Sequence, residues 1–172
     1  LATAITLKDS NVKAQEKNVV PGWGDGTKTV TKTVTNENGE KIVDDTFSIG
    51  ETIPYEVTFK EAYNYYIETI TAEGADKGKS TAHKIYNYIL EDTMPSAVTL
   101  EKGSFKVTVN GVDINDEKVD TNKANDYTIA FDDDNHKFTV TIPWAATKDA
   151  DNDDFFYHDA PAKIVVTYNG VL

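Results

Sequence analysis

Cysteine is absent from the 172-residue chain, and so is arginine. Without cysteine there is no disulfide framework, no thiol nucleophile and no thiolate zinc site. Without arginine there is no guanidinium fork for bidentate recognition of phosphate or carboxylate. The 17 basic residues are therefore all lysines, set against 29 carboxylates for a formal net charge of -12. That balance excludes nucleic acid as a partner, because phosphate binding requires concentrated positive charge. It equally argues against docking on anionic lipid. No run of about 20 apolar residues occurs, so no membrane-spanning helix is expected. The chain begins at Leu1 and shows no signal peptide, and it reads as a piece of a longer protein.

What is present points to strands. Ile53, Tyr55, Val57 and Phe59 alternate with more polar residues and predict a half-buried strand. Phe105, Val107 and Val109 alternate in the same way and run into Asn110-Gly111, a tight-turn dipeptide. Tyr127, Ile129 and Phe131 lead into the acidic turn 132–135. Phe138, Val140, Ile142 and Trp144 return from it, so 127–144 reads as a hairpin. The β-branched run 163–169 suits a buried closing strand. Residues 27–46 read as a self-contained exposed hairpin turning at 36–39. Segments 21–26, 73–79 and 147–154 read as exposed loops. Tyr63, Tyr66, Ile67 and Ile70 could share a helical face or form a strand, which Tyr and Ile favour, and 80–86 allows a short helical turn. Many short strands separated by turn signals predict an all-β sandwich of two antiparallel sheets.

Conventional chemistry finds little support. His83, His136 and His158 lie outside any nucleophile-elbow or zinc-helix pattern and read as surface residues. Asp149, Asp151 and Asp153 open with calcium-loop spacing, but Asp154 and Ala160 stand where such a loop needs glycine and a terminal acid. A solvated acidic loop is the better reading. Neither metal nor other cofactor is expected, and acid pairs are too common in so acidic a chain to indicate glycoside hydrolysis.

A domain that bears tension without cysteine has another covalent option, an amide between Lys and Asn side chains. The lysine must be desolvated so that its amine is neutral and nucleophilic. An asparagine must lie against it, and a buried carboxylic acid must polarise the carboxamide and shuttle protons as ammonia departs. Closing a loop of about 150 residues in this way stabilises by roughly 5 kcal/mol on the chain-entropy argument used for disulfides.

Three segments occur in order: Phe47-Ser48-Ile49-Gly50-Glu51-Thr52-Ile53-Pro54-Tyr55-Glu56-Val57, Tyr88-Ile89-Leu90-Glu91-Asp92-Thr93-Met94-Pro95 and Val165-Val166-Thr167-Tyr168-Asn169-Gly170. Together they resemble the isopeptide-forming D2-type domain of Gram-positive backbone pilins, over roughly Asn11 to Leu172. The resemblance implies an immunoglobulin-like, CNA-type fold, with 1–10 a lead-in and 11–172 a single domain. It implies a structural rather than enzymatic role: a shaft or stalk domain of a wall-anchored extracellular fibre. Its partners would be neighbouring pilin subunits joined by sortase. The only chemistry implied is one self-crosslinking turnover.

By the same resemblance Asn169 matches the amide acceptor and Asp92 the catalytic acid, with Glu91 as the alternative acid on the opposite face. Two lysines match the donor context. Lys17 is preferred because 27–46 reads as a separate hairpin. Lys32, in Val30-Thr31-Lys32-Thr33-Val34, has the better phase and the shorter spacing to Ile49. The chain departs from the family in a longer, Tyr-rich segment between Phe59 and Tyr86 and in Gly170, where alanine is common. The sorting signals of a complete pilin are not recognisable. The competing reading is an adhesin module that presents Tyr63, Tyr65 and Tyr66, or the acidic 147–154 loop, to a host protein or glycan.

Overall fold

Alternating side chains shape the molecule, and in the computed structural model almost every regular element is a strand. The structure describes residues 11–16, 31–35, 40–42, 47–114, 127–146 and 155–172. In chain order the strands are β1 (Asn11–Glu16), β2 (Thr31–Thr35), β3 (Lys41–Ile42), β4 (Thr52–Ala62), β5 (Tyr65–Thr69) and β6 (Ser80–Lys84). They continue with β7 (Asn87–Thr93), β8 (Thr99–Val109), β9 (Val112–Ile114), β10 (Thr128–Asp132), β11 (Lys137–Pro143) and β12 (Ala162–Val171). A four-stranded sheet has the order β1-β7-β11-β10, and a six-stranded sheet the order β3-β2-β4-β12-β8-β9. All the pairings are antiparallel, and β5 and β6 form a separate two-stranded ribbon. The fold is the expected all-β, immunoglobulin-like sandwich.

The core lies between the two larger sheets, and period-two patterning explains it. From the six-stranded sheet, Ile53, Tyr55, Val57, Phe59, Val107, Val109, Ile164, Val166 and Tyr168 are buried. Tyr88, Leu90, Phe138, Val140 and Ile142 come from the four-stranded sheet. Asn110 and Gly111 both adopt positive φ, +50° and +81°. That is the turn geometry their dipeptide predicts between β8 and β9. The 127–144 hairpin is present, with a single 3-10 turn at Asp133–Asn135.

Of the two readings open for the Tyr-rich segment, the strand holds, and two other expectations are corrected. Residues 80–84 form its partner strand rather than a helical turn: Tyr65 pairs with Lys84 and Thr69 with Ser80. The spacing of Tyr63, Tyr66, Ile67 and Ile70 satisfied both periods, and β-branched and aromatic residues favour the extended choice. The stretch 27–46 is not a self-contained exposed hairpin either. β2 joins the main sheet through β4, with Lys32 opposite Val57 and Val34 opposite Tyr55, and Val34 is buried. The Thr-rich sequence looked solvated, but alternation gives this strand one inward row. The loop 73–79 is exposed as expected. Segments 21–26 and 147–154, with Asp149, Asp151 and Asp153, lie outside the described residues.

The departure at Gly170 has a packing reason. A Cβ there would sit 2.4 Å from Val98 Cγ1 and 3.3 Å from the Tyr55 ring. The segment following β7 presses on β12 at this point and leaves no room for a methyl group.

Candidate functional site: a buried lysine and aspartate between the sheets

The three segments singled out in the sequence meet in space. The first and third are the adjacent strands β4 and β12, with Tyr55 opposite Tyr168. Their ends are tied by Gly50 N–H donating to the Leu172 carbonyl at 2.6 Å and Leu172 N–H donating to that of Glu51 at 3.1 Å. The second is β7, in the centre of the facing sheet, flanked by β1 and β11. Period two along β7 buries Tyr88, Leu90 and Asp92 and turns Glu91 outward, where its carboxylate stands 3.9 Å from Lys137.

Asp92 is fully buried, and Lys32 Nζ donates to its Oδ2 at 2.7 Å, with the lysine side chain only 7% exposed. Because Lys32 belongs to the six-stranded sheet and Asp92 to the four-stranded one, the contact bridges the core. Tyr168 donates its hydroxyl to the same Oδ2. The tyrosine ring is stacked against Tyr55 at 5.3 Å and Phe105 at 5.1 Å, with Phe138 edge-on at 4.8 Å. The ammonium of Lys32 lies over the Tyr55 ring, 4.6 Å from its centre. Asp92 Oδ1 is buried and has no hydrogen-bond partner among the described residues.

The electrostatics follow from this burial. Desolvation pushes Lys32 below its ordinary 10.5, and only partly is this opposed by the charge and hydrogen bond of Asp92. Desolvation, then the Asp92 charge and hydrogen bond, hold Tyr168 well above its ordinary 10.0. A group whose folded value is raised stabilises the fold below its unfolded value, and that stability is lost as pH rises toward the folded value. Unfolding free energy is therefore expected to fall as pH rises above 10.0. The fall should be shallower in Tyr168→Phe, measured by urea titration across that range. Equal slopes would contradict the assignment.

Of the residues picked out in the sequence, the structure brings Lys32 and Asp92 together. Lys17 lies outside the described residues. Asn169 is not brought to the pair: β12 alternates strictly, so Tyr168 and Gly170 face the core while half-buried Asn169 faces the other way. Its backbone N–H donates to Ser104 Oγ at 2.8 Å. Sequence reasoning missed Tyr168, although its parity with Ile164 and Val166 marks it as inward. His136, in the acidic turn, and His158, in a loop, are exposed, whereas His83 is half-buried and stacks on Tyr66 at 4.8 Å. No metal-binding cluster occurs among the described residues, and no helix there is long and apolar enough to cross a membrane.

These features define a class: an antiparallel β-sandwich whose two main sheets are joined by a buried lysine–carboxylate pair. No family model and no curated protein matches the chain. Among solved structures, the group B streptococcus pilus 2b backbone protein matches with 36% identity and a TM-score of 0.58, over 82% of this chain. The chain is thus a relative of Gram-positive backbone pilins. It covers 43% of that pilin, less than half its length.

Proposed function

We propose that this chain is a load-bearing domain of a surface pilus shaft, locked by one intramolecular isopeptide bond whose donor is Lys32. The observation that carries this is the buried contact between Lys32 and Asp92 across the core. Burial that holds a lysine below its ordinary 10.5 favours the nucleophilic free amine that amide formation needs. The aromatic wall of Tyr55, Phe105, Phe138 and Tyr168 keeps water out. A covalent link between the sheets would carry tension that sheet hydrogen bonds alone must otherwise bear. Similarity to a pilus backbone protein supports the extracellular setting and assembly with further subunits. Sortase-mediated joining and anchoring to the cell wall complete the proposal.

The test is intact mass spectrometry of the folded chain. Condensation removes one small molecule, about 17–18 Da, and Lys32→Ala should restore the full mass. A folded chain of unmodified mass would refute self-crosslinking. The adhesin reading draws on one observation: Tyr63, just ahead of β5, and Tyr65 and Ile67 on it are 39%, 37% and 61% exposed. Specific retention on a glycan or matrix-protein array, lost in Tyr65→Ser with Ile67→Ser, would favour it.

A further inference from the structure

We infer that Tyr168 is a positioning residue of the crosslinking site: its hydroxyl anchors Oδ2 of Asp92 beside Lys32 and leaves Oδ1 to meet the acceptor carboxamide. This rests on the self-crosslinking reading and assigns a group that sets the rate of that step.

The need for an anchor comes from the pair itself. An aspartate side chain ends in a torsion whose energy wells are broad and roughly two-fold. A lysine carries its amine on a flexible stem. Neither fixes the other, and a reacting geometry tolerates little error. Tyr168 is the rigid member of the site. Its buried ring is stacked with both Tyr55 and Phe105, and Phe138 meets it edge-on. β4 lies between β2 and β12, and its Tyr55 stands opposite Tyr168. The same Tyr55 ring also lies under the Lys32 amine. One ring therefore supports both groups that reach across the core to Asp92 Oδ2.

The anchor matters most once a proton has moved. Charge attraction holds Lys32 to Asp92 only while both are ionised. Amide formation requires the ammonium to give up a proton, and the pair is then neutral. A hydroxyl hydrogen bond outlasts that change, because a protonated carboxyl group keeps acceptor capacity. Tyr168 holds its own proton at neutral pH, since burial first and then the Asp92 charge keep it well above 10.0. With two donors on Oδ2, Oδ1 is the oxygen left for a third group. Oδ1 is buried and takes no hydrogen bond from a described residue, and such an atom is costly until a partner reaches it.

The covalent step balances with Tyr168 as a bystander. The Lys32 ammonium passes one proton to Asp92, and the Nζ lone pair attacks the carbon of an asparagine carboxamide. A new C–N bond forms, a second proton moves from Nζ to the carboxamide nitrogen, the old C–N bond breaks and ammonia departs. One amine and one carboxamide become one amide and one ammonia, and Asp92 keeps the proton it received. Tyr168 neither gains nor loses an atom, so its contribution is to geometry.

The experiment follows the full-length protein that carries this chain, made by cell-free synthesis and quenched at intervals. Proteolysis and peptide mass spectrometry measure how much of the Lys32 peptide is joined to an asparagine peptide with loss of ammonia, about 17 Da. Tyr168→Phe keeps the ring and removes the hydroxyl. It is expected to give the same linked peptides about 100-fold more slowly, the scale of a reacting group misplaced by about 1 Å. Val166→Ala, in the same buried row of β12, is the packing control and should link at close to the wild-type rate. An unchanged rate in Tyr168→Phe, or equal slowing in both variants, would overturn the inference and leave the self-crosslinking reading intact. No link at Lys32 in the folded wild-type protein would overturn both. A second readout needs no variant. Proton NMR of the linked protein should show the Tyr168 hydroxyl, assigned through its ring, in slow exchange with water. Fast exchange there would mean that the anchor does not outlast the reaction and would overturn the inference.

Discussion

Replacing Asp92 with alanine is expected to lower the unfolding free energy by about 3–5 kcal/mol, because it leaves Lys32 buried without its counter-charge. The Tyr168 hydroxyl loses its acceptor in the same change. Urea denaturation with an unchanged m-value is the measurement. A drop below about 1 kcal/mol, the value of an exposed pair, would show that water reaches the site in solution. The double replacement Lys32→Met with Asp92→Leu is more informative. Exchanging a purely ionic buried pair for apolar residues of similar volume is often neutral or stabilising. A covalent link made through Lys32 instead stabilises by about 4–5 kcal/mol on the loop-entropy argument. Loss of that amount in the double variant would mean that the pair is kept for its bond, whereas a neutral result would leave it as a buried ion pair.

How far the site was legible depended on parity. Asp92 could be placed inward because it shares phase with Leu90 and Tyr88, and β7 keeps that phase throughout. The same test on β12 gives Tyr168, since Ile164 and Val166 fix the inward row two residues at a time. The motif points to Asn169, which lies one residue out of that phase. Lys32 was legible in the same way, through its phase with Val34, yet the Thr- and Lys-rich context suggested a free-standing hairpin. What that context could not reveal was the neighbour. Pairing of β2 with β4 is a long-range choice, and it alone turns an ordinary lysine into a buried one.

The strands themselves were easier. Where one face is apolar and the other polar, as in 53–59 and 163–169, period two admits one reading. It failed to decide at 63–70 because aromatic and aliphatic residues there occur at both spacings, and the ribbon they form has no buried face to enforce a pattern. Its register comes instead from the contacts at its base.

Those contacts centre on Trp144, and its truncation to alanine is expected to cost about 3–5 kcal/mol. The indole is fully buried, edge-on to Tyr88 at 4.8 Å and against Tyr157 at 4.6 Å. Its Nε1–H donates to Asn64 Oδ1 at 2.7 Å, and the Asn64 carbonyl accepts from Ile85 N–H at 2.9 Å. Asn64 stands between β4 and β5, and Ile85 directly follows β6, so this chain of bonds clamps both roots of the ribbon. Tyr88 adds a hydroxyl bond to the Tyr63 carbonyl at 2.7 Å. Trp144→Phe keeps most of the packing and loses the bond to a half-buried Asn64, so about 0.5–1.5 kcal/mol is expected. Hydrogen exchange separates the local from the global effect. In Trp144→Phe the amides of 65–69 and 80–84 should lose protection while those of β4, β7 and β12 keep theirs. Uniform loss across all strands would mean that the tryptophan acts only through the common core. Confined loss would mean that the ribbon is held by one side chain. The exposed Tyr65 and Ile67 would then be carried on an element free to adjust against a neighbour without loading the sheets that Lys32 and Asp92 join.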